Sequence, residues 1–173
     1  AETEKIDAFE HLIEWLPKNI PAGDETSIVH GDYRLDNMVF HPTEPRVLAV
    51  LDWELSTLGH PLVDFSYHCM TWHLSPGQFR GLDGHDLAAL GIPSGAEYGA
   101  TYCRRTGRAP IPTAEWNYYM AFNMFRLASI MQGIMARALQ GNASSADALA
   151  AGQKAKPLAE YAWQEVEKII RST

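Results

Sequence analysis

Residues 29–42 read VHGDYRLDNMVFHP, and residues 50–61 read VLDWELSTLGHP. In the first stretch, Asp32 is followed five residues later by the amide side chain of Asn37. In the second stretch, Asp52 comes directly after a run of apolar residues, at the place where a strand would end. The chain therefore carries two carboxylates and an amide at positions where short strands and tight loops are expected to meet.

The spacing of apolar residues predicts helices on both sides of this block. Steps of three and four predict a first helix over residues 6–16. Three short β-prone runs then predict small strands, which need helices beneath them to be stable. The β-prone runs are 27–30, 38–40 and 46–51, and the later predicted helices cover 61–73, 94–105 and 113–139.

Local signals mark where the later helices begin and end. Ser94 and Glu97 have the spacing of a capping box, which predicts a helix start. Pro157 is predicted to interrupt the last helical segment before a closing helix that runs through Ile170. Strands do not alternate with helices along the chain, so we predict a mainly α fold of the α+β class, with a small β-hairpin block among helices.

The composition limits the class of partner. The chain has 173 residues and a formal charge of -7, which argues against nucleic acid or an anionic membrane as its main partner. No apolar run is long enough for a membrane span. Cys69 and Cys103 are too few for a disulfide framework, so we expect a reducing compartment, the cytoplasm.

Phosphoryl transfer requires the kinds of side chain found in the quoted stretches. One carboxylate accepts the proton of the attacking hydroxyl, and a second carboxylate with a neutral oxygen donor holds Mg²⁺ against the phosphates. Kinase catalytic loops supply these groups with an Asp, an Asn five residues later and an Asp after the following strand. Asp32, Asn37 and Asp52 have this spacing, which predicts a kinase-like site.

The block resembles the aminoglycoside-phosphotransferase family, also called the choline and ethanolamine kinase-like group. In that family the catalytic loop has His-Gly-Asp where protein kinases have His-Arg-Asp, and an Asp-Trp or Asp-Phe pair follows a strand. The similarity is greatest to the kinase-like domain fused to, or encoded near, some acyl-CoA dehydrogenases. It is specific over residues 27–68 and looser around 125–128 and 132–133. It implies the C-terminal catalytic lobe of a protein-kinase-like fold, with ATP and Mg²⁺ as cofactors.

The resemblance implies a role for each matching residue. Asp32 would be the catalytic base that orients the acceptor hydroxyl. Asn37 and Asp52 would bind Mg²⁺ and so hold the nucleotide. His30 would help hold the loop, and Arg34 falls where protein kinases carry a lysine that touches the transferred phosphate.

Two residues near the loop can also be explained by ordinary structural roles. Asp64 would anchor the catalytic loop by the resemblance, but a carboxylate in the first turn of a helix is also favoured by the helix dipole. Arg34 is equally interpreted as a surface cation that pairs with Asp36. The sequence leaves both interpretations open.

The long helix predicted over 113–139 carries candidate acceptor contacts. Its aromatic residues include Tyr119 and recur at helical spacing, which is typical of a core face. Arg126 is less easily explained by packing, since a groove-facing Arg can bind a phosphate or carboxylate. We assign Arg126 and Tyr119 as candidate contacts of a small-molecule hydroxyl acceptor, which the resemblance implies is a hydroxyacyl or acyl-CoA compound.

Kinases of this type begin with a β-rich N-terminal lobe that carries a Gly-rich loop and a strand lysine. No Gly-x-Gly-x-x-Gly occurs here, and no lysine lies in a strand pattern. We therefore expect residues 1–173 to be one catalytic lobe, a fragment that lacks the nucleotide-gripping lobe and is inactive alone. Within it, residues 27–68 would form the catalytic and metal block, and 69–173 a helical substrate subdomain. Without that lobe, the face that it would cover is exposed, and we expect this face to favour a homodimer.

Two other functions remain open at this point. One is a non-catalytic kinase-like binding or scaffold module, against which the intact acidic groups argue. The other is a metal-dependent hydrolase, although the chain has no His-Glu-x-x-His spacing. The candidate ligands for that hydrolase are His30, Asp32, Asp52, His60, Asp64 and His68.

Overall fold

Helices make up most of the residues that the computed structural model describes, which are 3–142 and 146–172. The α-helices are α1 (Asp7–Trp15), α2 (Leu62–Cys69), α3 (Pro76–Phe79), α4 (Gly95–Thr106), α5 (Thr113–Leu139), α6 (Ala148–Gly152) and α7 (Ala155–Ser172). The strands are β1 (Ser27–Val29), β2 (Met38–Phe40), β3 (Val47–Val50) and β4 (Thr57–Gly59). Short 3₁₀ helices cover Leu16–Lys18, Leu35–Asn37, Trp53–Leu55 and Met70–Trp72.

The core has α5 at its centre. This helix packs against α2, α6 and α7, and α1 packs against α7. Buried residues on α5 recur at steps of three and four, including Met120, Met124 and Leu127, each at most 2% exposed. As predicted from the sequence, the apolar spacing directs one face of the long helix into the core.

The strands form two separate antiparallel pairs. β1 pairs with β4, with Ser27 opposite Gly59, and β2 pairs with β3, with Met38 opposite Val50. Three of these strands were predicted, and β4 was not. Its sequence, Thr57-Leu58-Gly59, has a single strongly apolar residue, so nothing in its pattern indicates a strand. The structure confirms the predicted mainly α fold with a small hairpin block among helices.

The helix predictions hold except at one proline. α4 begins with the predicted capping box, in which Ser94 and Glu97 satisfy each other's backbone N–H groups. Pro157 does not interrupt the last segment, which corrects the prediction. It is the third residue of α7, and a proline in the first turn removes no helical hydrogen bond. The break lies at residues 153–154 instead.

The connection between α2 and α4 is long and contains the 3₁₀ helix Met70–Trp72 and the short helix α3. The helix α3 has its own capping box between Ser75 and Gln78. Within the ranges described above, none of the helices combines the length and the apolar character needed to cross a membrane.

Candidate active site

Residues 30–37 connect β1 to β2 and form a tight loop braced by a buried histidine. The Asp32 backbone N–H donates to His30 Nδ1 at 3.1 Å, and His30 Nε2 lies 2.6 Å from the carbonyl oxygen of Leu51. A carbonyl only accepts, so these partners assign the ring proton to Nε2. His30 is 2% exposed. Its ring therefore ties the turn before Asp32 to the chain directly after β3.

A carboxylate on α2 holds the same turn from the other side. The backbone N–H of His30 donates to Asp64 Oδ2 at 2.5 Å, and that of Gly31 donates to Asp64 Oδ1 at 2.9 Å. Asp64 lies in the first turn of α2, where the helix dipole favours a negative charge. Gly31 has φ +85°, and a Cβ built on it would lie 2.6 Å from the carbonyl oxygen of Leu55. Only glycine fits this position without strain.

Two side chains donate hydrogen bonds to the Asp32 carboxylate. Arg34 Nε and Asn37 Nδ2 donate to Asp32 Oδ2 at 3.0 and 2.9 Å. Partial burial opposes ionisation, but the Tyr67 hydroxyl, Asn37 and Arg34 together outweigh it and keep the pKa of Asp32 below its ordinary value. Burial, followed by the nearby Asp32 charge, raises the pKa of Tyr67 to about 12. At neutral pH the site therefore presents an oriented carboxylate beside a protonated phenol.

Asn37 and Asp52 lie on chain segments that are bonded directly to each other. Asn37 Nδ2 donates to the Asp32 carbonyl at 2.9 Å, and the Leu51 N–H donates to the Asn37 carbonyl at 2.8 Å. Asp52, the next residue, adopts the left-handed conformation with φ +61°. Few non-glycine residues adopt it, although Asp tolerates it better than most. Backbone pairing thus places the residue before Asp52 against the main chain of Asn37.

The side-chain oxygens of Asn37 and Asp52 are suitable ligands for a hard cation. Among the described residues, no donor is hydrogen-bonded to Asn37 Oδ1 or to the Asp52 carboxylate, while Asn37 Nδ2 is fully engaged with Asp32. One carboxylate and one amide oxygen are ligands that Mg²⁺ accepts, with the remaining positions taken by phosphates and water. The donor chemistry of Asn37 and Asp52 is therefore compatible with a magnesium nucleotide.

Arg34 and a second arginine share one carboxylate beside Asp32. Arg34 Nη1 donates to Asp36 Oδ2 at 3.0 Å, so the predicted pairing with Asp36 occurs together with the contact to Asp32. Arg80, from the connection before α4, also pairs with Asp36 Oδ2. Arg80 was not singled out from the sequence, because no local pattern relates it to a residue 44 positions earlier. Cations therefore flank the site on its α2 side.

The structure separates the two candidate acceptor contacts on α5. Arg126 Nη2 donates to the Gly31 carbonyl, and its guanidinium lies 5.2 Å from the centre of the Tyr67 ring. Tyr119 lies two turns earlier, about 10 Å along the helix axis. It is 7% exposed and stacks on His60 with ring centres 5.0 Å apart. Arg126 thus touches the loop of residues 30–37, whereas Tyr119 packs against the residue before Pro61.

Sequence reasoning missed Tyr67 as part of the site. A signal was available, because Tyr67 follows Asp64 by three residues on a predicted helix, and residues at that spacing share a face. Any helix face that aims Asp64 at the loop also aims Tyr67 towards it.

The set of residues considered for a metal-dependent hydrolase is dispersed. Among the described residues, no group of three or more His, Cys, Asp or Glu side chains is placed to hold a metal ion. His60 packs on Tyr119, and His68 contacts the rings of Tyr33 and Trp72. Burial lowers the pKa of His68, so it is a neutral packing residue at physiological pH.

The fold and the loop define a class of protein, the phosphotransferases with a kinase-like catalytic lobe. Residues 1–112 match the phosphotransferase enzyme family (APH), and the chain belongs to that family. The predicted resemblance to aminoglycoside phosphotransferases is thereby confirmed.

Similar proteins place the chain within this family more narrowly. Mouse acyl-CoA dehydrogenase family member 10 is 49% identical over 171 residues, which are 97% of this chain and 16% of that protein. Human acyl-CoA dehydrogenase family member 11 is 44% identical over 166 residues, covering 95% of this chain and 21% of that protein. The chain therefore spans about a fifth of these relatives.

A solved structure matches both the sequence and the fold. A crystal structure from Ralstonia eutropha JMP134, named "putative aminoglycoside phosphotransferase", is 62% identical with a TM-score of 0.89. The match covers 96% of this chain and 51% of that one. The chain thus has the kinase-like fold of its family and spans about half the length of this relative.

Proposed function

We propose that the protein transfers the γ-phosphate of ATP to a hydroxyl group of a small molecule. The observation that carries the proposal is the Asp32 carboxylate, whose Oδ2 accepts hydrogen bonds from Arg34 and Asn37 and whose pKa is lowered, so that it is ionised and oriented. Phosphoryl transfer depends on positioning and on charge stabilisation, and this loop supplies both.

Each residue of the loop has a defined task in the proposal. Asp32 accepts a hydrogen bond from the acceptor hydroxyl, orients it for attack and takes its proton as the bond to phosphorus forms. Asn37 Oδ1 and the Asp52 carboxylate would hold Mg²⁺, which neutralises phosphate charge when bound. Arg34, bonded to Asp32, would contact the transferred group. Asp64 keeps the loop in position through the backbone.

The acceptor class is proposed from the relatives and from Arg126. Two relatives carry acyl-CoA dehydrogenase names, which supports a hydroxyacyl or acyl-CoA compound as acceptor. Arg126 lies at the loop and would bind an anionic part of the acceptor. If acceptor affinity is the same in Arg126→Ala, this part of the proposal is wrong.

The proposal includes a second, β-rich lobe that grips the nucleotide. Support comes from the crystallised relative, of which this chain spans 51%. The outer surface of the small sheets also exposes apolar side chains, among them Ile28 at 71% and Leu58 at 72%. Such a patch would be covered by that lobe, or by a second copy of the chain as a homodimer. The two cysteines are free and buried, which agrees with a cytoplasmic location.

Calorimetry with Mg·ATP tests the function directly. It is carried out on this chain and on the chain extended by any coding sequence that precedes it in its gene. Tight binding by the extended form only, lost in Asp52→Ala and kept in Asp32→Asn, is the expected result, because Asp52 binds the metal and Asp32 faces the acceptor. The Asp32→Asn variant should transfer phosphate about 10²–10⁴-fold more slowly, to a hydroxyl acceptor or to water.

The same experiment distinguishes the competing interpretations. If neither form binds the nucleotide, the proposed activity is wrong and a non-catalytic binding module is favoured. Tight binding by the short chain would overturn the part of the proposal that requires a second lobe.

A further inference from the structure

A cavity of about 800 Å³ lies on the helical side of the fold, between α4 and the beginning of α5. Its walls include Trp72, Ile111 and Trp116, so most of the surface offered to a ligand is apolar or aromatic. The volume is in the range of sites that bury a small molecule. None of the roles proposed for residues 30–64 uses this space.

The space exists because the first two turns of α4 present small side chains to it. Gly95, Ala96, Gly99 and Ala100 line the cavity, while Tyr102 on the other face stacks on Phe65 at 3.7 Å. A Cβ added to Gly99 would meet no atom within 4 Å. Glycine inside a helix lowers its stability. The helix therefore has open volume at a position where a larger residue would fit and would stabilise it.

The aromatic wall of the cavity is held in place before any ligand binds. Trp72 Nε1 donates to the Pro93 carbonyl at 2.9 Å, and the indole stacks on Tyr98 with ring centres 4.8 Å apart. A preformed apolar wall reduces the conformational entropy lost on binding.

The charged residues of the cavity are both cations. Among the described residues that line it, Arg104 and Arg108 carry charge and none is Asp or Glu. Arg104 has no carboxylate partner among the described residues, so this lining carries one unpaired positive charge in a chain of formal charge -7. Arg108 pairs with Glu25 through Nη2, but its Nε is buried and has no acceptor in the described part of the chain. An unsatisfied buried donor is costly, and an anionic group of a ligand would satisfy it.

The cavity is separated from the catalytic loop by a layer of rings. Tyr33, next to Asp32, contacts His68 with ring centres 5.7 Å apart, and His68 contacts Trp72 at 5.9 Å. A ligand in the cavity would therefore lie behind this layer and not against Asp32.

We propose that this cavity binds a small amphipathic anion. Its apolar chain or ring would lie along the Gly/Ala face of α4 against the two indoles, and its anionic group would contact Arg104 and Arg108. The site does not depend on the phosphotransferase activity, so its test is a binding experiment.

The test measures binding of ω-bromoundecanoate to the protein by calorimetry and by tryptophan fluorescence. The probe has an alkyl chain, a carboxylate and a bromine atom that quenches nearby indoles. We expect saturable binding with quenching, and less quenching in Trp116→Phe. The neutral ω-bromoundecanol should bind at least about threefold more weakly, since it lacks the charge that the arginines attract.

Substitutions at one position separate cavity filling from unfolding. Gly99→Leu should lower the affinity at least about tenfold by occupying the space, while Tm stays the same or rises because Leu is the better helix former. Gly99→Ala is the matched control, which should raise Tm and keep the affinity within about threefold. Equal affinity in wild type and Gly99→Leu would place the probe elsewhere and overturn the proposal.

Two neighbouring arginines test the anionic part of the site. Arg104→Gln should weaken binding of the carboxylate about threefold and leave binding of the alcohol unchanged. Arg105→Gln is the control, because Arg105 lies on the same turn but does not line this cavity. Identical losses in the two variants, or no saturable binding by the wild type, would contradict the proposed site.

Discussion

The Asp64 carboxylate accepts the backbone N–H of Gly31 at 2.9 Å, and so joins the first turn of α2 to the residue before Asp32. The second carboxylate oxygen accepts the N–H of His30. One side chain therefore satisfies two consecutive backbone donors of the loop of residues 30–37. The loop is held from a rigid helix, which is the kind of support that a precisely positioned carboxylate requires.

Replacement of Asp64 by Asn should lower the free energy of unfolding by about 2 kcal/mol. The amide has one oxygen, so either the His30 or the Gly31 N–H would face an N–H₂ group and lose its acceptor. Urea denaturation measures the change. Asp24→Asn is the control, because Asp24 is exposed and its side chain has no role in the loop. Equal midpoints for the two variants would show that Asp64 does not anchor the loop.

Gly31→Ala should destabilise the protein more than Gly84→Ala does. The two glycines have similar φ, +85° and +89°, but a Cβ at position 31 meets the Leu55 carbonyl at 2.6 Å, whereas position 84 is open. The left-handed backbone costs both variants about 1 kcal/mol, and the contact with Leu55 should add at least about 1 kcal/mol at position 31. Thermal and urea unfolding of the pair measure the difference. Similar losses of stability in the two variants would mean that the backbone around Leu55 can shift at little cost in free energy.

Tyr67→Phe should weaken the pH dependence of stability in acid. The pKa of Asp32 is lowered in the folded state, so its interactions stabilise the fold above the unfolded pKa, and this contribution is lost as the pH falls through the folded pKa. Removing the Tyr67 hydroxyl should raise the pKa of Asp32 towards 3.8, its ordinary value. The difference in unfolding free energy between wild type and variant should therefore shrink as the pH falls below 3.8.

The stability of the fold at alkaline pH gives an independent check on Tyr67 and Asp32. The pKa of Tyr67 is raised to about 12 from 10.0. The contribution of the protonated phenol to stability is therefore complete below the unfolded pKa and is lost as the pH rises through about 12. Tyr161→Phe is the control, because Tyr161 lies on α7 and is not bonded to Asp32. A difference between wild type and Tyr67→Phe that stays constant across the acid range would show that the hydroxyl does not act on Asp32.

Arg126→Ala should loosen the loop of residues 30–37 on the side that faces α5. The variant loses the donor to the Gly31 carbonyl and the contact with the Tyr67 ring, and we expect a loss of about 1–2 kcal/mol. Hydrogen exchange of the amides of residues 30–37 should become faster. Arg137→Ala, an exposed arginine on the same helix, should leave that exchange unchanged. Unchanged exchange in Arg126→Ala would mean that Arg126 does not hold the loop.

Local patterns in the sequence predicted the helices well and the small sheets only in part. Ser94 and Glu97 act within one turn, so their spacing alone locates the start of α4. β4 has no such signal, because Thr57–Gly59 becomes a strand only by pairing with β1. Pro157 was misjudged since a proline breaks a helix in its interior but not in its first turn, and only the structure shows where α7 begins.

The candidate site could likewise be predicted from the sequence only in part. The spacing of Asp32 and Asn37 is a property of one short loop, and their identity could be taken directly from residues 30–37. The Leu51 bridge to His30 and Asn37, the Arg80 pairing with Asp36 and the Arg126 contact with Gly31 join residues far apart in the chain. Periodicity and spacing contain no information about such partners.

The sequence by itself determined the mainly α fold and the acidic groups of the loop, because these follow from apolar periodicity and from short-range spacing, and its motifs were specific enough to resemble one family. Tertiary structure alone decided how Asp32 is oriented and ionised, which elements hold its loop, and that the small residues of α4 face an open cavity. The physical reason is that hydrogen bonds, burial and packing volume depend on distances in space, and the packing of α2, α4 and α5 around the strands sets those distances.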